Sequence, residues 1–172
     1  MKPIGSFLWL ALVALLLRST ALSSLASRNI ILDVLAFVTV VWALKYGDDW
    51  GATLGFLLGL AADLDAAHWL GRHALGLTLL GYAVGRLSNT LVRESARTQF
   101  VMLATATAAH QMWSTAFEWS GGLADVTYLL TRVLIATVVT ASVGTLLLMG
   151  LRALSGRPLF GHAQRTSKTY PG

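Results

Sequence analysis

Apolar residues in this chain come in six blocks separated by short polar stretches: Ile4–Leu25, Ile30–Leu44, Trp50–Asp63, Ala74–Leu91, Thr98–Phe117 and Leu129–Leu151. A helix that crosses a bilayer needs about 20 predominantly apolar residues. Four of the blocks meet that length, and the second and third fall short at 15 and 14 residues. Flanking residues such as Ser27, Tyr46 and Leu64 extend them, and local thinning of the bilayer absorbs the remainder. A re-entrant hairpin is the rival for this pair, but its tip would carry Lys45, Asp48 and Asp49 into hydrocarbon at high cost. The pattern predicts an all-α polytopic membrane protein with six transmembrane helices. Pro3, Pro158 and Pro171 all lie outside the blocks, so no helix should be proline-kinked. Residues 1–154 read as one membrane domain and residues 155–172 as a polar, basic cytoplasmic tail.

The third block is the least ordinary. Gly51, Gly55 and Gly59 recur every four residues, and Asp63 closes the run. Residues four apart share a helix face, so the glycines leave a smooth groove along it. In water three glycines would cost a helix about 3 kcal/mol relative to alanine. In a membrane, small residues at this spacing let a second backbone approach closely. The fourth block repeats the theme with Gly71, Gly76, Gly81 and Gly85. Either glycine face has two possible occupants, a helix of this chain or a partner's helix.

Composition supports the membrane reading. The chain is 55% hydrophobic and 12% charged, where a soluble domain is about 25% charged, and its mean hydropathy is +0.65. With no cysteine, disulfides, thiolate metal sites and cysteine nucleophiles are excluded. The net charge of +5 comes from basic residues at segment edges. No basic run interleaved with aromatics points to nucleic acid. Lys2 ahead of Phe7–Leu17 and small residues through Ala26 also fit a secretory signal, but Arg18 follows the apolar core directly and the run continues toward a full span. With both ends cytoplasmic, nine basic residues (Lys2, Lys45, Arg86, Arg93, Arg97, Arg152, Arg157, Arg165, Lys168) lie inside. Four (Arg18, Arg28, Arg72, Arg132) lie outside, which favours N-in and C-in. Trp50, Trp69, Trp113, Trp119 and Tyr128 fall near segment ends, as interfacial aromatics do.

Few residues carry candidate chemistry. Asp63, Asp65, His68 and His73 are of metal-ligating type, but their spacing matches no defined zinc pattern. The favoured reading is a polar outer loop with Asp63 hydrogen-bonded near a helix end, and no metal or cofactor is expected. His110 and Gln111 lie inside the fifth block, as relay, ligand or interhelical hydrogen bond, the last being favoured. Arg18, Asp33 and Arg132 all fall on the outer side, where Asp33 could pair with Arg18 or Arg132, or each could reach the interface unpaired. Thr105, Thr107, Thr131, Thr137, Thr140 and Ser142 are expected to bond back to their own helices. No nucleophile–base–acid set and no phosphate-binding loop is visible, which argues against an enzyme.

Residues 30–91, about a third of the chain, resemble the MreD family of rod shape-determining membrane proteins. Three pieces carry the resemblance in order: Ile31-Leu32-Asp33 opening a helix that closes near Trp42-Ala43-Leu44; Gly51-x3-Gly55-Phe56-x2-Gly59-Leu60-x2-Asp63; and Leu70-Gly71-x-His73-Ala74-Leu75 leading into Gly81-Tyr82-x2-Gly85-Arg86-Leu87. Family members often carry proline just before the acid of the second helix, where this chain has Leu32. The loop Asp65–Leu70 is also more polar than in the family pattern. The resemblance implies a bacterial inner-membrane scaffold of the cell-elongation (rod) complex. Its expected partners are MreC first, then RodA, a penicillin-binding transpeptidase and MreB, with no enzymatic activity. Gly51, Gly55, Phe56, Gly59, Asp63, Gly81 and Gly85 become candidates for partner or helix packing. The resemblance also implies a fold similar to the S components of energy-coupling-factor transporters, and with it an alternative function, a small-molecule-binding membrane module. That alternative needs a cavity with convergent polar groups, for which His110, Gln111, Glu118 and Trp119 are the candidates.

Overall fold

The computed structural model describes residues 32–66, 70–88, 90, 95–117, 122–156 and 159–160, with isolated positions in the first apolar block. Arg18, His68, Glu118 and Trp119 lie outside the described residues. Among the described residues the chain is all-helical, with five helices and no strand: α1 (Val34–Tyr46), α2 (Asp48–Ala66), α3 (Arg72–Ser88), α4 (Ala96–Ala116) and α5 (Leu123–Ser155). They correspond in order to blocks two to six.

Helix α1 begins where Asp33 accepts a hydrogen bond from the Ala36 amide at 3.0 Å, the usual bond of an N-capping side chain. It is apolar on every side, and nine of its thirteen residues are buried. A helix of that kind belongs in the middle of a bundle. One core cluster joins Val34, Leu35, Val38 and Trp42 of α1 to Leu54 and Leu58 of α2 and Leu77 of α3. A second joins Val40 and Leu44 to Val84 of α3, Leu103 of α4 and Ala141 of α5. Every other helix therefore packs around α1.

Gly47 alone connects α1 to α2. Its φ of +93° is closed to most residues with a side chain, and its carbonyl accepts the first bond of α2 from the Gly51 amide. The reversal brings Asp48 and Asp49 into the first turn of α2, where their charge suits the helix N-terminus. For that reason α2 runs 19 residues, longer than its apolar block. Helix α5 also outruns its block at both ends. It takes in residues assigned to the outer loop and ends at Ser155, where the Gly156 amide bonds the Arg152 carbonyl.

Among the described residues one helix, over Val126–Ser155, is long and apolar enough to cross a membrane by length and composition. The others are shorter or more polar. Their outward surfaces are nonetheless apolar. Leu64, Leu75, Leu79, Leu134, Val138 and Leu146 are all more than half exposed. Exposed apolar surface on this scale marks contact with lipid or protein.

Candidate functional site

The glycines of blocks three and four meet each other. A Cβ built on Gly51 would lie 2.6 Å from the Gly81 carbonyl oxygen of α3 and 2.6 Å from the Ala43 Cβ of α1. One on Gly55 would collide with the Leu77 carbonyl, and one on Gly59 with the backbone of His73 and Ala74. From the other side, Gly81 would strike the Gly51 backbone and Gly85 that of Asp48. Helices α2 and α3 thus touch backbone to backbone over about three turns, from Asp48 to Gly59 on α2, through the closeness that only glycine permits. Of the two occupants the spacing left open, the structure selects this chain's own α3, so the face is not a vacant groove for a foreign helix. Phe56 sits elsewhere on α2 and is 47% exposed.

Asp63 closes the same helix pair at its far end. Its side chain is fully buried. One carboxylate oxygen accepts from the His73 amide and from His73 Nδ1, and the other from the Gly71 and Ala74 amides, all at 3.0 Å. The His73 and Ala74 amides belong to the first turn of α3, which has no intrahelical acceptors. Asp63 therefore does from α2 what an N-cap side chain does locally. Gly71, at φ +96°, turns the chain so that its amide can join them. Of the metal-type residues, Asp63 and His73 bond each other. The Asp65 side chain lies outside the described set, and no group of three or more potential metal ligands occurs among the described residues.

Asp33 is the second buried acid, 6% exposed. Besides the Ala36 amide, its carboxylate accepts from His110 Nδ1 at 2.6 Å and Gln111 Nε2 at 2.9 Å. Its own amide donates to Thr140 Oγ1 at 2.9 Å. Asp33 thereby ties the start of α1 to α4 and α5. Arg132, one of the alternatives the sequence left open, is not among the groups that hold this carboxylate, which lies within the bundle where the two donors on α4 reach it. Arg18 lies outside the described residues. The rings of His73 and His110 meet edge to face at 5.7 Å, so the two acid–histidine pairs form one buried cluster joining α1, α2, α3 and α4.

Local sequence could not indicate some of these roles. Thr105 and Thr131 bond back to their helices as expected, but Thr140 receives the Asp33 amide. Thr107 and Thr137 have no side-chain partner among the described residues. Gly144 was not singled out, yet it admits the Phe37 ring and Leu103 between α5 and its neighbours.

A cavity of about 380 Å³ opens between α3 and α4. Its walls include Leu80, Val84, Met102 and Ala106, with His110 and Trp113 at one end. Gln111 is not part of the wall, so the convergent polar set expected of a small-molecule module is not assembled by the described residues.

No curated protein and no solved structure matches the chain. A family model does: that of the rod shape-determining protein MreD, over residues 1–154, which contain the glycine helix pair and both acid–histidine pairs. The chain belongs to the MreD family of rod shape-determining membrane proteins.

Proposed function

We propose that the protein is a non-enzymatic scaffold of the bacterial cell-elongation complex. It spans the inner membrane six times with both ends cytoplasmic and docks MreC. Through that contact it favours peptidoglycan synthesis by RodA and its penicillin-binding transpeptidase, with MreB as the wider cytoskeletal partner. Membership of the family supports the role in rod shape.

One observation supports the docking reading. With the glycines of α2 locked against α3, the opposite side of α2 presents Phe56, Leu60 and Leu64, four residues apart and 47%, 36% and 68% exposed. Residues at that spacing form a continuous ridge, here carried on a helix pair whose backbones cannot slide. A rigid ridge loses little freedom when a partner helix packs on it.

The test is co-purification. The double variant Phe56→Ala, Leu60→Ala changes only exposed side chains, so its melting temperature should stay at the parent value. It should lose MreC from affinity-purified membranes and fail to restore rod shape to cells lacking the parent protein. Retained MreC and normal rods would rule out this ridge as the docking face.

A further inference from the structure

The exposed stripe of α2 does not stop at Phe56. Followed toward the start of the helix, three and then four residues back, it takes in Thr53 and Asp49, both exposed. From Asp49 to Leu64 the stripe is about 22 Å long at the helical rise. The Thr53 hydroxyl is turned back to the Asp49 carbonyl at 2.8 Å, so the stripe is apolar from Phe56 outward and headed by one acid.

The two acids of this first turn differ. Asp48 faces α3, where its carboxylate lies 3.9 Å from Arg86 Nη1. The Asp49 carboxylate makes no ion pair and no hydrogen bond among the described residues.

The outward faces of the other helices end in the opposite charge. In the proposed topology the start of α2, the end of α3, the start of α4 and the end of α5 all lie at the cytoplasmic side. There the exposed face of α3 ends in Arg86, that of α4 begins with Arg97, and the last turn of α5 carries Arg152, all exposed. Basic residues at that level suit the anionic headgroups of the cytoplasmic leaflet. Asp49 repels the same headgroups, so bare lipid is the poorer neighbour for α2. A protein helix is the better one, because membrane helices carry Lys and Arg at their cytoplasmic ends.

We propose that the helix docked on α2 sets a lysine or arginine of its cytoplasmic flank against Asp49, about 10 Å along the axis from its apolar contact with Phe56. The pair fixes the depth at which the two helices meet, since a slip of one turn would break it. Charge complementarity of this kind acts on register and choice of partner more than on raw affinity. The inference rests on the ridge and the topology proposed above, and adds to them the partner's chemistry and its depth.

The experiment uses the full-length chains co-reconstituted in neutral-lipid vesicles, with association read by energy transfer as the mole fraction of MreC is raised. Asp49→Asn should weaken association about threefold and Asp49→Lys about tenfold, and both differences should shrink at high salt. Asp48→Asn removes an acid from the same turn on the α3 side and should leave association at the parent level. MreC variants in which each basic residue at the cytoplasmic end of its span is changed singly to glutamate complete the swap. One of them should return Asp49→Lys to near the parent's association; if Asp49→Lys does not fold, Asp49→Asn decides alone. Parent-level association of the Asp49 variants, rescue by no swap, rescue only from the other end of the span, or a loss confined to self-association of the protein would overturn the proposal. The double variant Phe56→Ala, Leu60→Ala runs alongside. If it binds MreC as the parent does, the ridge fails and the charge pair with it. If it loses MreC while the Asp49 variants keep it, the ridge stands and only the charge pair fails.

Discussion

Gly55→Ala adds one methyl group to the α2–α3 interface. The new Cβ would lie 2.6 Å from the Leu77 carbonyl carbon and 3.1 Å from the Thr78 amide nitrogen, against 3.4 Å or more for ordinary contact. Both obstacles are backbone, so no rotamer change relieves them and the helices must part by about 1 Å. Parting also loosens the Gly51–Gly81 and Gly59–Ala74 contacts, and a gap of 0.5–1 Å forfeits roughly a quarter to a half of each dispersion well. Overpacking of this kind costs about 1–3 kcal/mol. Alanine's better helix propensity returns about 1 kcal/mol, so a net loss of about 1–2 kcal/mol is expected. Gly150 is the matched control. It lies in α5 with nothing within 4 Å of its would-be Cβ, so Gly150→Ala should be neutral or stabilising by up to about 1 kcal/mol. In a thermal melt of the detergent-solubilised protein, Gly55→Ala should fall roughly 2–8 °C below the parent and Gly150→Ala should not fall. If Gly55→Ala melts at or above the parent, the glycine face is not closed against α3 and the reasoning fails.

The buried acids give two more expectations. Asp63→Ala strands the amides of Gly71, His73 and Ala74 and should cost at least about 3 kcal/mol. His73→Phe leaves those three bonds in place and should cost about 1 kcal/mol; a larger loss from His73→Phe in the same melt would contradict the capping role. Asp33→Asn combined with His110→Phe should show a coupling of roughly 0.5–3 kcal/mol in a double-mutant cycle. Asp33→Asn with Arg132→Gln should be additive within about 0.5 kcal/mol, and non-additivity there would restore the ion pair that the geometry excludes.

Local pattern carried the helices well, because apolar blocks bounded by charge are a short-range signal. It also marked the glycine face, since spacing alone makes a helix side smooth. Spacing cannot say what lies across from it, and that depended on the turn at Gly71, φ +96°, after which α3 runs back along α2. Asp63 was legible only as an acid near a helix end, because its acceptor role depends on amides eight to eleven residues away across a turn. The Asp33–His110 bond spans 77 positions and left no local trace. The sequence offered arginines as the partners of Asp33, but charge type alone does not reveal which side chains share a buried corner. At its far end α5 outran its apolar block because helix propagation continues past the last apolar residue until Gly156 closes it. Gly156 with Pro158 two positions on is a stop signal readable in the sequence.

The central claim is that α2 turns its glycines inward to α3 and its Phe56–Leu60 side outward to a partner. Photo-crosslinking amino acids placed singly at Phe56, Leu60 and, on the outward side of α5, Leu146 test it in native membranes. Adducts with MreC from Phe56 and Leu60, and none from Leu146, are the predicted result. Adducts from Leu146 alone, from all three positions alike, or from none would contradict it.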